Sequence, residues 1–295
     1  MRIGYPCINR TLGCSTGRTF RLKSYSEERL CDAINENLSC LENILKYNIK
    51  KEIFFFRISS EIIPFASHPV CKLNWQYLFK KKLEHIGAII KKNNIRISMH
   101  PDQYTLLNAL DQRIVERSIK ELTYHAEFLD LLTLDRSAKI QIHIGGTYQN
   151  KSESMNRFIA RLEMLHPLIR KRLVIENDER SFTIKNCLQV NKTTEIPVLF
   201  DSFHHSLLNN GESIRKTLEQ CSHTWKRGDG PPMVDYSSQN SSGKRGNHAQ
   251  SINQTDFKVF LEQIQGIECD VMLEIKDKER SALKALTIVR VLDLF

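Results

Sequence analysis

A chain of 295 residues with 41% hydrophobic and 26% charged side chains carries enough apolar material for a large core, which excludes a disordered or low-complexity polypeptide. No apolar stretch is long enough to span a bilayer, and a strand-like run begins at once with no basic leader and apolar signal core before it, so a cytosolic protein with no membrane partner is expected. The formal net charge of +9 favours a polyanionic partner, nucleic acid foremost, although a solvated basic surface accounts for the same number.

Short β-branched or aromatic runs alternate with longer amphipathic ones, the pattern of parallel strands joined by crossover helices. In chain order the expected strands are Arg2–Pro6, Ile53–Ile58, Ile95–His100, Lys139–His143, Leu173–Glu176, Pro197–Asp201, Pro232–Tyr236 and Asp270–Ile275. The helix expected over Glu27–Tyr47 shows its period most clearly, with Leu30, Ile34, Leu38, Leu41 and Leu45 at steps of three or four. Further helices are expected over Asn74–Asn93, Gln112–Leu134, Glu153–Leu168, Phe182–Val190, Gly211–Cys221, Asp256–Gln265 and Lys278–Asp293. Eight rounds of strand and helix define an α/β fold, a (β/α)8 TIM barrel, read as one domain over residues 1–295 because no linker or low-complexity tract divides the chain. The polar segment Ser237–Asn253 reads as one long βα loop. Neither half carries a glycine-rich fingerprint after its first strand, so no nucleotide cofactor is expected. Eight cysteines, none in a C-x-x-C pair, read as reduced, mostly buried thiols.

In such a barrel the catalytic face lies at the carboxyl ends of the strands. Here six successive strands end in His, Asp or Glu: His100, His143, Glu176, Asp201 with His204 following, Asp235 and Glu274. Apolar runs such as Leu173-Val174-Ile175 and Val198-Leu199-Phe200 lead straight into carboxylates, and an unpaired ion beside a hydrophobic barrel is costly. A bound cation resolves that cost, and mixed imidazoles and carboxylates suit manganese, zinc or a related divalent ion. His68 is a seventh candidate, whereas His85, His125, His166 and His223 fall in or near helices away from this face, and His205 is expected to point elsewhere.

The strings GYPCIN (Gly4–Asn9), FRISSEIIPFASHP (Phe56–Pro69), HPDQY (His100–Tyr104), IEND (Ile175–Asp178), DSFHH (Asp201–His205), VDYSSQ (Val234–Gln239) and LEIKDKE (Leu273–Glu279) resemble those of the ultraviolet damage endonuclease family, in order along nearly the whole chain. The resemblance implies a barrel related to endonuclease IV and to xylose isomerase-like barrels. It implies a cluster of two or three metal ions, Mn2+ first, that nicks damaged double-stranded DNA immediately 5′ to a lesion. The products would be a 3′-hydroxyl and a 5′-phosphate, and the lesions cyclobutane pyrimidine dimers, 6-4 photoproducts and abasic sites. Carried over by position, His100, His143 and Glu176 would hold one metal; Glu176, Asp201, Asp235 and Glu274 would hold a second; His204 and His248 would belong to a third. Catalysis would rest on Glu176, Asp201 and Glu274. The chain departs from some members near the seventh strand, where Met233 and Asp235 stand in place of a modified lysine and a histidine.

Gln103 and Tyr104 would probe the damaged stack, with Tyr5, Asn9, Arg57 and His68 as further DNA or lesion contacts and Lys226-Arg227 and Lys244-Arg245 as phosphate contacts. A monomer working on DNA at the nucleoid is expected. The rival readings are a metal-dependent sugar isomerase or epimerase on the same barrel, and a non-catalytic DNA-binding module, which would not need so many buried acids.

Overall fold

In the computed structural model, which describes residues 1–292, eight parallel strands close into a barrel in sequence order, β1 pairing with both β2 and β8. They are β1 Ile3–Pro6, β2 Phe55–Ile58, β3 Arg96–Met99, β4 Lys139–His143, β5 Leu173–Glu176, β6 Val198–Asp201, β7 Met233–Tyr236 and β8 Asp270–Leu273. The helices are α1 Glu27–Lys50, α2 Trp75–Leu78, α3 Lys80–Lys92, α4 Gln112–Leu131, α5 Lys151–Met164, α6 Pro167–Arg170, α7 Ile184–Thr194, α8 Ser202–Leu207, α9 Ile214–Ser222, α10 Gln254–Gln263 and α11 Glu279–Val291. The expected TIM barrel is therefore the architecture found. Among the described residues no helix is long and apolar enough to cross a membrane.

The strand period of two sorts side chains between two cores. One residue of each adjacent pair faces the helices: Ile3, Phe56, Ile97, Ile140, Ile175, Phe200, Val234 and Val271 join the large core against the helical ring, with the stripe Leu30, Ile34, Leu38, Leu41 and Leu45 of α1. The alternate residues fill the barrel in layers. At its amino-terminal end Asp270 pairs with Arg2 and Arg96, and Asp229 takes Lys139 at 2.6 Å and Arg136 at 2.7 Å. Above them Phe55, Val174, Leu199, Met233 and Met272 form an apolar layer. Gly4 opens space for it, because a Cβ there would lie 2.5 Å from the Phe55 carbonyl oxygen.

Several boundaries differ from expectation for local reasons. The helix expected over Glu153–Leu168 breaks at Leu165 and His166, both extended, because Pro167 opens α6 and disfavours helical backbone in the residue before it. The helix expected over Asn74–Asn93 divides at Phe79, whose ψ of 6° steps out of the helix. DSFHH is not loop but the start of the short helix α8, capped by the Asp201 carboxylate, which accepts from the His204 amide at 2.7 Å. The end of the last expected helix, at Asp293, lies outside the described residues.

The expectation that all cysteines are reduced is corrected: Cys14 and Cys40 form a disulfide, tying the loop after β1 to α1 across a Cα–Cα distance of 5.8 Å. Their separation of 26 residues carries no local signature, and only the fold-back of the loop brings them together. Cys187, Cys221 and Cys269 are buried thiols as expected, while Cys7, Cys31 and Cys71 are half-buried.

His125 is buried in α4, its Nδ1 2.7 Å from the Glu121 carbonyl. Burial lowers its pKa to about 4. Below pH 6.5 the unfolded chain takes a proton that the folded ring refuses until about pH 4, so stability falls across that window as pH drops. Chemical denaturation between pH 7 and pH 4 is expected to show His125→Gln losing less stability than the parent over this range. The difference should reach about 3 kcal/mol at the acid end; parallel curves would place the acid sensitivity elsewhere.

Candidate metal centre at the barrel mouth

The layer above the apolar one is polar. Arg57, Ser98, Gln141 and Asp235, each two residues beyond an inward-facing side chain of its strand, are all buried. The Arg57 guanidinium grips both oxygens of Asp235 at 2.7 and 2.8 Å and pairs with Glu274. Gln141 donates to Glu176 at 2.7 Å and to Asp235 at 2.8 Å. Over this layer lie the strand-end groups. Strand register sets His143 beside Glu176 and Asp201 beside Asp235, and β3 and β8 end one residue short of His100 and Glu274, leaving these as the first loop positions.

Glu176 is the hub. One of its oxygens lies 3.3 Å from His100 Nε2 and 3.7 Å from His143 Nε2, and the other 3.3 Å from His204 Nδ1. His204 is also 3.4 Å from Asp201, and His248 is 3.7 Å from Glu274. Three sets of donors converge, each with its atoms within 4.8 Å of one another: His100, His143 and Glu176; Glu176, Asp201 and His204; Asp201, Asp235 and Glu274. The first is the set expected from sequence. His204 falls in with Glu176 and Asp201 rather than with His248.

Burial opposes the charge of every carboxylate here, and its neighbours decide the outcome. His143, His100 and His204 outweigh burial and hold Glu176 well below the ordinary carboxylate value. Glu274 is likewise held at about 2, chiefly by Arg57. Asp201, faced by Glu176 and Glu274, is pushed up to about 7 by burial despite His204. Burial raises Asp235 well above its usual range even against Arg57. His204 rises to about 11, because Asp201 and Glu176 overcome the effect of its burial. Burial lowers His248. Three buried carboxylates and the half-buried Glu274 thus gather at the mouth around one arginine, Arg57. This concentration of carboxylates, with imidazole nitrogens aimed into it and no cysteine in the three sets among the described residues, is a donor set that fits divalent metal ions. Of the four, Asp235 is the least free to take a metal ion, since both its oxygens accept from Arg57.

Other expected contacts fall elsewhere. Tyr5 and Asn9, expected to touch DNA, do not reach the mouth: the strand parity of β1 turns Tyr5 outward against α1, where its hydroxyl donates to Asn48 at 2.7 Å and accepts from Asn9 at 2.9 Å, all three buried. Arg57, expected as a DNA contact, pairs with Asp235 and Glu274 instead. His68 is exposed, its Nδ1 accepting from the Val70 amide at 3.1 Å, and joins none of the three donor sets. Lys226 and Arg227 precede β7 and so lie at the opposite end of the barrel, Lys226 pairing with Glu195. Gln103 and Tyr104 stand exposed on the loop after β3, Tyr104 at 72%. Lys244 is exposed on the long loop after β7, and Arg245 there donates to the Leu207 carbonyl at 2.8 Å. Gln141, which joins Glu176 to Asp235, is a contact of the cluster that the sequence reading misses. Its signal is its position two residues before His143 and two after Lys139, which puts it on the inward, polar face of β4.

Fold and site together define a β/α barrel whose mouth gathers imidazoles and carboxylates in sets that could hold metal ions. A profile of the family described as UV-endonuclease UvdE matches residues 1–293, and the chain belongs to that family of enzymes acting on DNA. It is 41% identical over 292 residues to a UV DNA damage endonuclease of Clostridium perfringens (strain 13 / Type A), covering 98% of this chain and 71% of that protein. The crystal structure of SacUVDE superposes with a TM-score of 0.96 at 48% identity, over 99% of each chain. Endonuclease IV from Thermus thermophilus, at 15% identity and a TM-score of 0.60 over 86% of this chain and 95% of its own, shares the fold.

Replacing Arg57 by Met is expected to strand Asp235 and Glu274 as unpaired buried acids. In chelator, urea denaturation should show a loss of about 3–5 kcal/mol. A loss below about 1 kcal/mol would mean that the two acids are neutral in the folded protein and do not depend on the guanidinium.

Proposed function

We propose that this protein nicks duplex DNA immediately 5′ to ultraviolet photolesions, cyclobutane pyrimidine dimers and 6-4 photoproducts first and abasic sites in addition, by metal-dependent phosphodiester hydrolysis that leaves a 3′-hydroxyl and a 5′-phosphate. The observation that carries this reading is the convergence of His100, His143, Glu176, Asp201, His204 and Glu274 on one spot at the barrel mouth, in a chain of the UV-endonuclease family. In this reading His100, His143 and Glu176 hold one ion and Glu176, Asp201 and Glu274 a second, with Glu176 shared, and His204 and His248 stand ready for a third. Mn2+ is the first choice for a set of imidazoles and carboxylates without thiolates.

Bound there, divalent ions lower the pKa of water and neutralise charge on the phosphoryl oxygens. The chain's own residues do the positioning. Gln141 fixes one oxygen of Glu176, so that its charge points at the imidazoles, and Arg57 restrains Glu274 from below. Gln103 and Tyr104, exposed beside His100, offer an amide and a ring to a weakened base stack. The surplus of basic residues draws the duplex to the surface.

An end-labelled duplex carrying one thymine dimer tests this directly. With Mn2+ we expect a single nick 5′ to the dimer, suppressed by chelator; no nick with any divalent metal, together with turnover of free sugars, would transfer the site to isomerase or epimerase chemistry. Glu176→Gln is expected to abolish incision while leaving the melting profile of a folded barrel, and near-native turnover would remove Glu176 from the centre. Gln103→Ala with Tyr104→Ala is expected to lower incision of damaged duplex at least about tenfold while changing affinity for undamaged duplex less than about threefold. Equal losses on both would make the pair general backbone contacts.

A further inference from the structure

Lys278 occupies a backbone conformation that its side chain does not favour. Asp277, Lys278, Glu279 and Arg280 form a turn closed by the Arg280 amide donating to the Asp277 carbonyl at 3.2 Å. Lys278 stands at its second position with φ 57° and ψ −118°. These angles are the mirror image of the second position of a type II turn, a place that belongs to glycine because a Cβ is crowded there. The turn is held on both sides. The Lys278 amide donates to the Ile275 carbonyl at 3.1 Å, and the buried Glu279 carboxylate accepts from the Arg10 amide and the Thr11 hydroxyl, each at 2.8 Å. A non-glycine residue kept in such a conformation is a mark of function when the surroundings enforce it.

The side chain gives nothing back to the fold. It caps no helix, although it precedes α11 directly, and among the described residues its ammonium makes no hydrogen bond or ion pair. Half-buried, it interacts through its charge with Cys7, Glu274, Arg57 and Arg10, which sets it on the rim of the carboxylate cluster between the loops that follow β8 and β1. Glu274 does not claim it, because Arg57 already holds that carboxylate.

We propose that Lys278 is a substrate-binding residue of this site, whose ammonium takes a non-bridging oxygen of a DNA backbone phosphate laid across the imidazole and carboxylate cluster. The inference rests on the DNA-incising reading of the mouth. A phosphate supplies the anionic partner that the protein does not.

The test uses the full chain with a fluorescent dimer-bearing duplex and its undamaged counterpart, in anisotropy titrations with chelator across a range of KCl, alongside incision with Mn2+ and thermal melting. Lys278→Met keeps the backbone angles and removes the charge. It is expected to melt with the parent, bind both duplexes roughly tenfold more weakly at low salt, and flatten the slope of log K against log salt by about 0.9. Lys278→Gly is expected to lose the same affinity while melting higher, since the turn conformation then costs nothing. Lys278→Arg restores the affinity. If the parent binds and incises while Lys278→Met matches its affinity and salt slope, the proposal for Lys278 falls alone. If the parent neither binds nor incises, the DNA-incising reading falls and takes this proposal with it.

Discussion

A single buried guanidinium sets the terms for everything at the barrel mouth. Arg57 enters from β2, reaches across the barrel axis and holds Asp235 of β7 and Glu274 after β8. Without it these two acids would face Glu176 and Asp201 with no arginine or lysine paired to them. An arginine keeps its proton in any protein environment, so this counter-charge does not come and go with pH.

Much of this is legible in the sequence because two simple periods govern the chain. The step of two in strands places Glu176, Asp201 and Asp235 on the inward face, and the step of three to four in α1 places its leucines against the barrel. Strand order needs no further information, since each helix carries the chain to the neighbouring parallel strand. The same parity argument, applied to β1, turns Tyr5 away from the mouth. Motif likeness suggests a DNA contact there, whereas the Tyr5 hydroxyl sits in the buried Asn48–Tyr5–Asn9 chain. Arg57 misleads for a different reason. A lone arginine between hydrophobic residues looks like a phosphate ligand until the acids across the barrel are known, and those lie 178 and 217 residues further along the chain. The Cys14–Cys40 bridge escapes on similar grounds, as the return of a loop without periodicity leaves no local trace.

The barrel shared with endonuclease IV explains where the chemistry sits but not what it acts on. Around this mouth the loops add further groups. The segment after β3 presents Gln103 and Tyr104 beside His100, and the long segment after β7 brings His248 back over Glu274 through its pairing with Gln239. Loops of this kind are free to vary because the strands fix the donor groups independently of them. The turn that leads into α11 belongs to the same ring of loops around the mouth.

The apolar layer of Phe55, Val174, Leu199, Met233 and Met272 separates two ionic networks stacked along one axis. It acts as a dielectric partition. Lys139, Arg96, Asp229 and Asp270 below it are tied into the closed end of the barrel, and the acids and imidazoles above it are tied to Arg57, with hydrocarbon between them. Each network can therefore be adjusted without retuning the other. Changes at the lower end bear on how firmly the barrel is closed, and changes at the upper end on what it binds, so selection or design can trade in thermal tolerance without touching the chemistry.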